Sequence, residues 1–203
     1  MHSLIVVSHP DPASLTHAVA TGIGRAITAA STANSVEIAD LAREGFDPRF
    51  TLDDIGVINR TAPASGAVRT EQARIDSADR LIITYPVYWW SMPALLKGWI
   101  DRVFASGWAY DESPDGKLEK RLGRLHVHLV AIGGATRATY DRRGYSKAMA
   151  AQIDHGIFDY CGAQLLSSDL LLIPETRTTD ELLAEACRIG RRIAGGDTGR
   201  AAA

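Results

Sequence analysis

The sequence predicts an α/β domain built around a five-stranded parallel sheet with strand order 2-1-3-4-5. Three observations carry that prediction. Short apolar runs recur five times along the chain, and stretches with helical periodicity separate them. The first run is uninterrupted rather than alternating, which suits a strand covered on both faces of a sheet. Most of the runs are closed by proline or glycine.

Leu4-Ile5-Val6-Val7 opens the series and stops at Ser8-His9-Pro10-Asp11-Pro12, where two prolines enforce a loop. Leu15, Val19, Ile23 and Ile27 then mark one stripe of a helix ending near Ser31. Val36–Ala39 is the second strand. Residues 42–63 read as an irregular excursion with one short helix, and residues 67–78 as a polar helix. Leu81–Tyr85 forms the third strand, closed by Pro86. Pro93 suits the first turn of a helix that buries Leu95, Leu96, Trp99, Ile100, Val103 and Phe104. Residues 111–123, with Pro114, Gly116 and Gly123, read as a polar connection. The fourth strand runs from Leu125 to Ile132 and stops at Gly133-Gly134. A loop leads to a helix near Ser146–Phe158, then to a fifth strand, Leu165–Ile173, ended by Pro174. Thr179 or Asp180 caps the last helix, which carries Leu182, Leu183, Ala186, Ile189 and Ile193. Residues 1–194 form one domain in this reading, and 195–203 a disordered tail.

Composition narrows the function. The 203 residues are 46% hydrophobic, enough for one well-buried core. Twenty-two basic and 24 acidic residues leave a net charge of −2, so nucleic-acid binding has little electrostatic support. No apolar run approaches the ~20 residues of a membrane span. The N-terminus lacks the pattern of a secretory signal. Cys161 and Cys187 are isolated, read as small core or semi-buried residues, and fit a reducing cytoplasm.

In a sheet of this order, strands one and three flank the switch point where ligands bind, beyond the strands' carboxyl ends. The loops at 8–16, 85–92 and 133–145 are therefore the candidates. The second packs Tyr85, Tyr88, Trp89 and Trp90 into six residues. Loop tips are normally polar, so these aromatics cap the core, make a dimer contact or wall a flat ligand. The first loop offers His9, Ser14 and Thr16 at a helix start, where free N–H groups suit phosphate; the plain alternative is that Asp11 or Ser14 caps the helix. Gly133-Gly134 would let backbone approach a ligand, although such pairs are also ordinary turns. Tyr140 could donate a hydrogen bond to an anionic ring, or be a surface tyrosine. His126 and His128 share one face of strand four but lack a third metal ligand at sensible spacing. No Gly-x-Ser-x-Gly elbow is present.

Pro86-Val87-Tyr88-Trp89-Trp90-Ser91-Met92-Pro93-Ala94-Leu95-Leu96-Lys97-Gly98-Trp99-Ile100-Asp101-Arg102-Val103-Phe104 resembles the signature stretch of DT-diaphorase-type NAD(P)H:quinone oxidoreductases, a group that includes ancillary subunits of potassium-efflux systems. Ser8-His9-Pro10 with Ser14, Glu71-Gln72 and Gly133-Gly134 extend the likeness over roughly residues 4 to 145. The resemblance implies a flavodoxin-like three-layer sandwich, a homodimer and a non-covalent flavin, FAD with FMN as the alternative. It implies that His9, Ser14, Leu15 and Thr16 hold the phosphates and ribityl chain, and that Pro86, Val87, Tyr88, Trp89 and Trp90 line the ring. Gly133 and Gly134 would supply close backbone contact, with Tyr140 as the catalytic phenol. Where mammalian members carry a histidine, this chain has Tyr145. The implied reaction is a ping-pong, two-electron transfer from NAD(P)H to a quinone. A regulatory subunit docked on a membrane transporter is the alternative function.

Overall fold

A computed structural model describes residues 1–113, 115–176 and 178–196. The chain runs β1 (His2–Val7), α1 (Leu15–Ala30), β2 (Ser35–Asp40), α2 (Leu52–Ile58), α3 (Gly66–Ser77), β3 (Arg80–Pro86), α4 (Ala94–Val103), β4 (Tyr110–Glu112), β5 (Leu118–Lys120), β6 (His126–Gly133), α5 (Arg137–Arg143) and α6 (Tyr145–Met149). A wider π-type helix (Ala150–Asp159), β7 (Gln164–Leu172), a short 3₁₀ turn (Ile173–Glu175) and α7 (Thr179–Ala194) complete it.

Why β1 lies at the centre of the sheet follows from its side chains. Leu4 and Val6 point into one core with Ile83, Tyr85 and Trp99, while Ile5 and Val7 point into another with Val19, Ile23 and Ile189. A strand apolar on both faces needs a layer on each side, and α1 with α7 forms one of these. The five long strands pair in parallel in the order β2-β1-β3-β6-β7, which is the predicted order once the β4–β5 hairpin is counted. Val7 pairs with Thr84, and Pro86 with Ile132. The carboxyl ends of β1, β3 and β6 therefore lie along one edge.

Five local expectations are corrected. Residues 111–123 are not a plain connection: Tyr110–Glu112 pairs antiparallel with Leu118–Lys120, and Arg60 and Arg121 pair with Asp111. Pro114 lies outside the described residues. The loop at 133–145 holds α5, closed by Gly144 in the left-handed region, φ 73°. The helix expected at 146–158 is α6 followed by the π-type segment. Thr178, not Thr179 or Asp180, caps α7, its side chain accepting from the Glu181 N–H. Pro93 is the N-cap of α4 rather than a first-turn residue, because its ψ of 153° is extended. Of the tail at 195–203, Gly195 and Gly196 are described and the rest lies outside.

The irregular stretch at 42–63 carries one short helix, α2, as expected. Its fastening is internal to the fold. Arg102 on α4 reaches Asp54 at 3.1 Å and donates to the Asp47 carbonyl at 2.7 Å, with both side chains of the ion pair under 10% exposed. Asp54 also accepts from the Thr51 N–H and hydroxyl, at 2.8 and 2.7 Å. Cys161 is buried and Cys187 half-buried, and neither forms a disulfide.

Candidate active site

Beyond β3, the chain makes a tight turn that its residue types do not favour. The Val87 N–H donates to the Ile132 carbonyl at 2.8 Å, tying the loop to β6. Tyr88 and Ser91 then exchange backbone hydrogen bonds at 3.0 and 3.1 Å. The two residues between them, Trp89 and Trp90, have φ of 49° and 62°. Such a turn wants glycine or asparagine at both positions. Each left-handed tryptophan costs about 1–3 kcal/mol. Burial does not offset this at Trp89, which is 93% exposed.

What holds the turn is a set of neighbours from α5, α6 and the π-type segment. Tyr145 stacks on the Trp90 indole, with ring centroids 3.7 Å apart and planes 11° from parallel. Tyr140 meets the same indole edge-on at 5.3 Å. The Ser91 hydroxyl donates to Gln152 Oε1 at 2.6 Å.

Tyr140 is 1% exposed. A Cβ on Gly133 would lie 2.5 Å from its hydroxyl oxygen and 2.9 Å from Leu172 Cδ2. The bare glycine is what lets the phenol sit there. Burial raises the Tyr140 pKa above the ordinary phenol value, with Arg137 opposing. At neutral pH the group is therefore a hydrogen-bond donor. A Cβ on Gly134 would meet nothing within 4 Å, so open space lies beside this residue.

The result is a cleft of about 200 Å³ lined by Val87, Trp89, Trp90, Gly134, Ala135 and Tyr140. Two of the three candidate loops thus share one cavity. Gly133 lies beneath Tyr140 rather than on the cleft wall. Pro86 ends β3, and Tyr88 is exposed outside the lining.

The first loop lies at the same sheet edge but forms its own network. The Ser8 N–H donates to the Thr84 carbonyl at 3.3 Å. Ser14 is the N-cap of α1, accepting from the His17 N–H at 3.4 Å. Its hydroxyl also lies 2.8 Å from His17 Nδ1, and His17 Nε2 lies 2.8 Å from Asp40 Oδ2. His9 Nδ1 accepts from the Asp11 N–H at 3.0 Å. Leu15 packs on the α1–α7 core, and Thr16 is buried. A groove of about 460 Å³ leads from Ser14 and His17 along α1 to Arg25 and Leu183.

Three polar side chains on these elements were not singled out from the sequence. Gln152 carried no signal. Asp154, inside the π-type segment, has its pKa pushed up to about 6 by burial, against opposing effects of His155 and the Ser168 hydroxyl. His17 stands three residues after Ser14, a capping spacing that could have drawn attention. His128, set aside as a metal ligand, is buried against Ser167 at 2.9 Å, and Arg80 lies 3.3 Å from its other nitrogen. Among the described residues, no helix is long and apolar enough to cross a membrane.

A doubly covered parallel sheet with an aromatic cleft beyond the carboxyl ends of β3 and β6 defines a class: α/β proteins that bind their ligands at the strand ends. The chain belongs to the flavodoxin-like NAD(P)H:quinone oxidoreductase family, and the flavodoxin-like fold family matches residues 1–186. Human ribosyldihydronicotinamide dehydrogenase [quinone] is 30% identical over 166 residues, covering 72% of this chain and 71% of the relative. The solved NAD(P)H:quinone oxidoreductase of Methanothermobacter marburgensis superposes with a TM-score of 0.82 at 25% identity, over 95% of this chain and 98% of that one. An FMN-dependent NADH-azoreductase from Bacillus anthracis, solved with FMN, shares the fold at TM-score 0.68 and 15% identity, over 96% and 98% of the two chains.

Proposed function

We propose that this protein is a flavin-dependent NAD(P)H:quinone oxidoreductase in which one cleft serves both substrates in turn. The observation that carries this is the pairing of one exposed and one half-buried indole with a buried, protonated phenol beyond the carboxyl ends of β3 and β6. Flat, weakly polar ring systems stack well on indole. The open space at Gly134 and the ring of Trp89 fit such a group.

A flavin, when bound, supplies two-electron hydride chemistry. The chain's own residues do the rest. Val87, Trp89 and Trp90 would wall the ring. Tyr140 Oη donates a hydrogen bond to negative charge as it develops on the ring or on an acceptor oxygen. The start of α1, at Ser14, Leu15 and Thr16 and with His9 nearby, would offer phosphate its free backbone N–H groups, the Ser14 hydroxyl being already engaged with His17. FAD is the cofactor the family resemblance implies; FMN, the flavin held by solved neighbours of the same fold, is the alternative. The cleft, at about 200 Å³, is smaller than the roughly 300–1,000 Å³ of ordinary ligand pockets, and the homodimer that the family resemblance implies would let a second copy of the chain add to it. The two unpaired cysteines suit a cytoplasmic setting.

The test is reconstitution. Purified protein incubated with FAD or FMN is expected to turn yellow, and the mass of the released cofactor distinguishes the two. A protein that takes up neither flavin refutes the proposal. Tyr140→Phe is expected to keep flavin and slow its reduction by NAD(P)H roughly 10- to 100-fold, the worth of a hydrogen bond to a charged group. An unchanged rate removes Tyr140 from the chemistry.

A further inference from the structure

Trp90 lines the cleft, and the ring stacked on it lies outside the cleft. The indole sits on a left-handed backbone, φ 62°, that tryptophan does not favour. One face of the ring is covered by Tyr145 at 3.7 Å and 11°. Tyr140 lies edge-on to both rings, 5.3 Å from Trp90 and 6.4 Å from Tyr145. Trp90 and Tyr140 line the cleft; Tyr145 does not. It follows Gly144, the left-handed residue that ends α5 and turns the chain into α6. The two tyrosines are thus held on either side of one sharp bend.

We propose that Tyr145 is a positioning residue: by stacking behind Trp90 it fixes the part of the indole presented to the cleft, and so sets how wide a flat ligand the cleft admits. This rests on reading the cleft as the flavin and acceptor site. The hydroxyl of Tyr145 has no part in the proposal; the ring does the positioning. Among the described residues no other ring stacks on that face of Trp90, so without Tyr145 the strained turn is free to relax and carry the indole with it.

The experiment compares wild type with Tyr145→Phe, Tyr145→Leu and Tyr145→Ala. Tyr145 is only half-buried, and leucine fills much of its volume without offering a ring to stack, so a folded test variant is at hand. Three quantities are read: near-ultraviolet circular dichroism of the flavin-free protein, the flavin dissociation constant by fluorescence quenching, and kcat and KM for quinones of one, two and three fused rings. The leucine and alanine variants are expected to lose the dichroic signal of the stacked pair and bind flavin about three- to tenfold more weakly, the worth of one aromatic contact. Their KM values should shift unequally across the quinone series while kcat stays within about twofold. Phenylalanine should restore all three.

Variants that keep the wild-type dichroism, or that lose thermal stability while flavin affinity and the order of KM values stay unchanged, overturn the proposal. If wild type itself takes up no flavin, the reading of the cleft fails and the role of Tyr145 falls with it. That outcome is distinct from a flavin-loaded wild type whose variants behave identically.

Discussion

Replacing Gly133 with alanine adds one methyl group at the point where the sheet meets the Tyr140 phenol. Its Cβ would lie 2.5 Å from Tyr140 Oη, 2.9 Å from Leu172 Cδ2 and 3.3 Å from Tyr140 Cζ. Ordinary contact begins near 3.4 Å, so the phenol oxygen must move by nearly an ångström. Neither neighbour moves freely, since Tyr140 is 1% and Leu172 4% exposed. Gly133 is not in the left-handed region, so alanine adds no backbone strain and the whole effect comes from the clash. Overpacking of this kind costs about 1–3 kcal/mol. In a chain of this size each kcal/mol lowers the melting temperature by roughly 2–4 °C. A displacement of about 1 Å in a reacting group can cost ~100-fold in rate. Gly133→Ala is therefore expected to melt several degrees lower and to reduce bound flavin 10- to 100-fold more slowly, with flavin still bound. Thermal melting and stopped-flow reduction measure the two effects. Gly134→Ala serves as the stability control, because its Cβ meets nothing and its melting temperature should not move. A Gly133→Ala protein with wild-type melting and wild-type reduction refutes the account of Tyr140's placement.

Two further outcomes follow from buried charge. Asp54→Ala leaves the Arg102 guanidinium without its carboxylate in a site under 10% exposed, and should cost about 3–5 kcal/mol; a loss below ~1 kcal/mol in chemical denaturation contradicts the assigned role of the pair. Burial raises the Asp154 pKa to about 6. The folded state therefore favours the protonated acid. The stability it contributes is complete below about pH 3.8 and is lost as pH rises through about 6. Asp154→Asn should flatten that slope and raise stability at pH 7.5, and a variant whose pH–stability curve runs parallel to wild type speaks against it.

Much of the fold was legible because parallel strands announce themselves. Leu4–Val7 is a continuous apolar run, Leu81–Tyr85 is broken only by Thr84 and Leu125–Ile132 only by His126 and His128, and their buried faces require helices on both sides. The β4–β5 hairpin was not legible. Leu118-Glu119-Lys120 lacks an apolar stripe and is exposed throughout, and the pairing of Asp111 with Arg60 spans 51 residues. Helix α5 was missed because its seven residues bury only Tyr140. At the site, the sequence exposed the residue types but not their conformation. Trp89-Trp90 breaks the usual chemistry of a two-residue turn, so no turn rule points to it. The stack of Tyr145 on Trp90 joins two loops that only the folded sheet brings together. In the first loop, the sequence could not choose between helix cap and phosphate donor. The structure makes Ser14 the cap, already engaged with His17.

The left-handed pair at Trp89 and Trp90 also bears on how this protein would respond to engineering. Asparagine followed by glycine would suit that backbone far better. Heat-resistance screening alone would reward that swap, because the stiffer turn would survive while its hydrophobic surface disappeared. Libraries built for thermotolerance should therefore hold these two codons fixed, or score every survivor for ligand uptake alongside its melting curve.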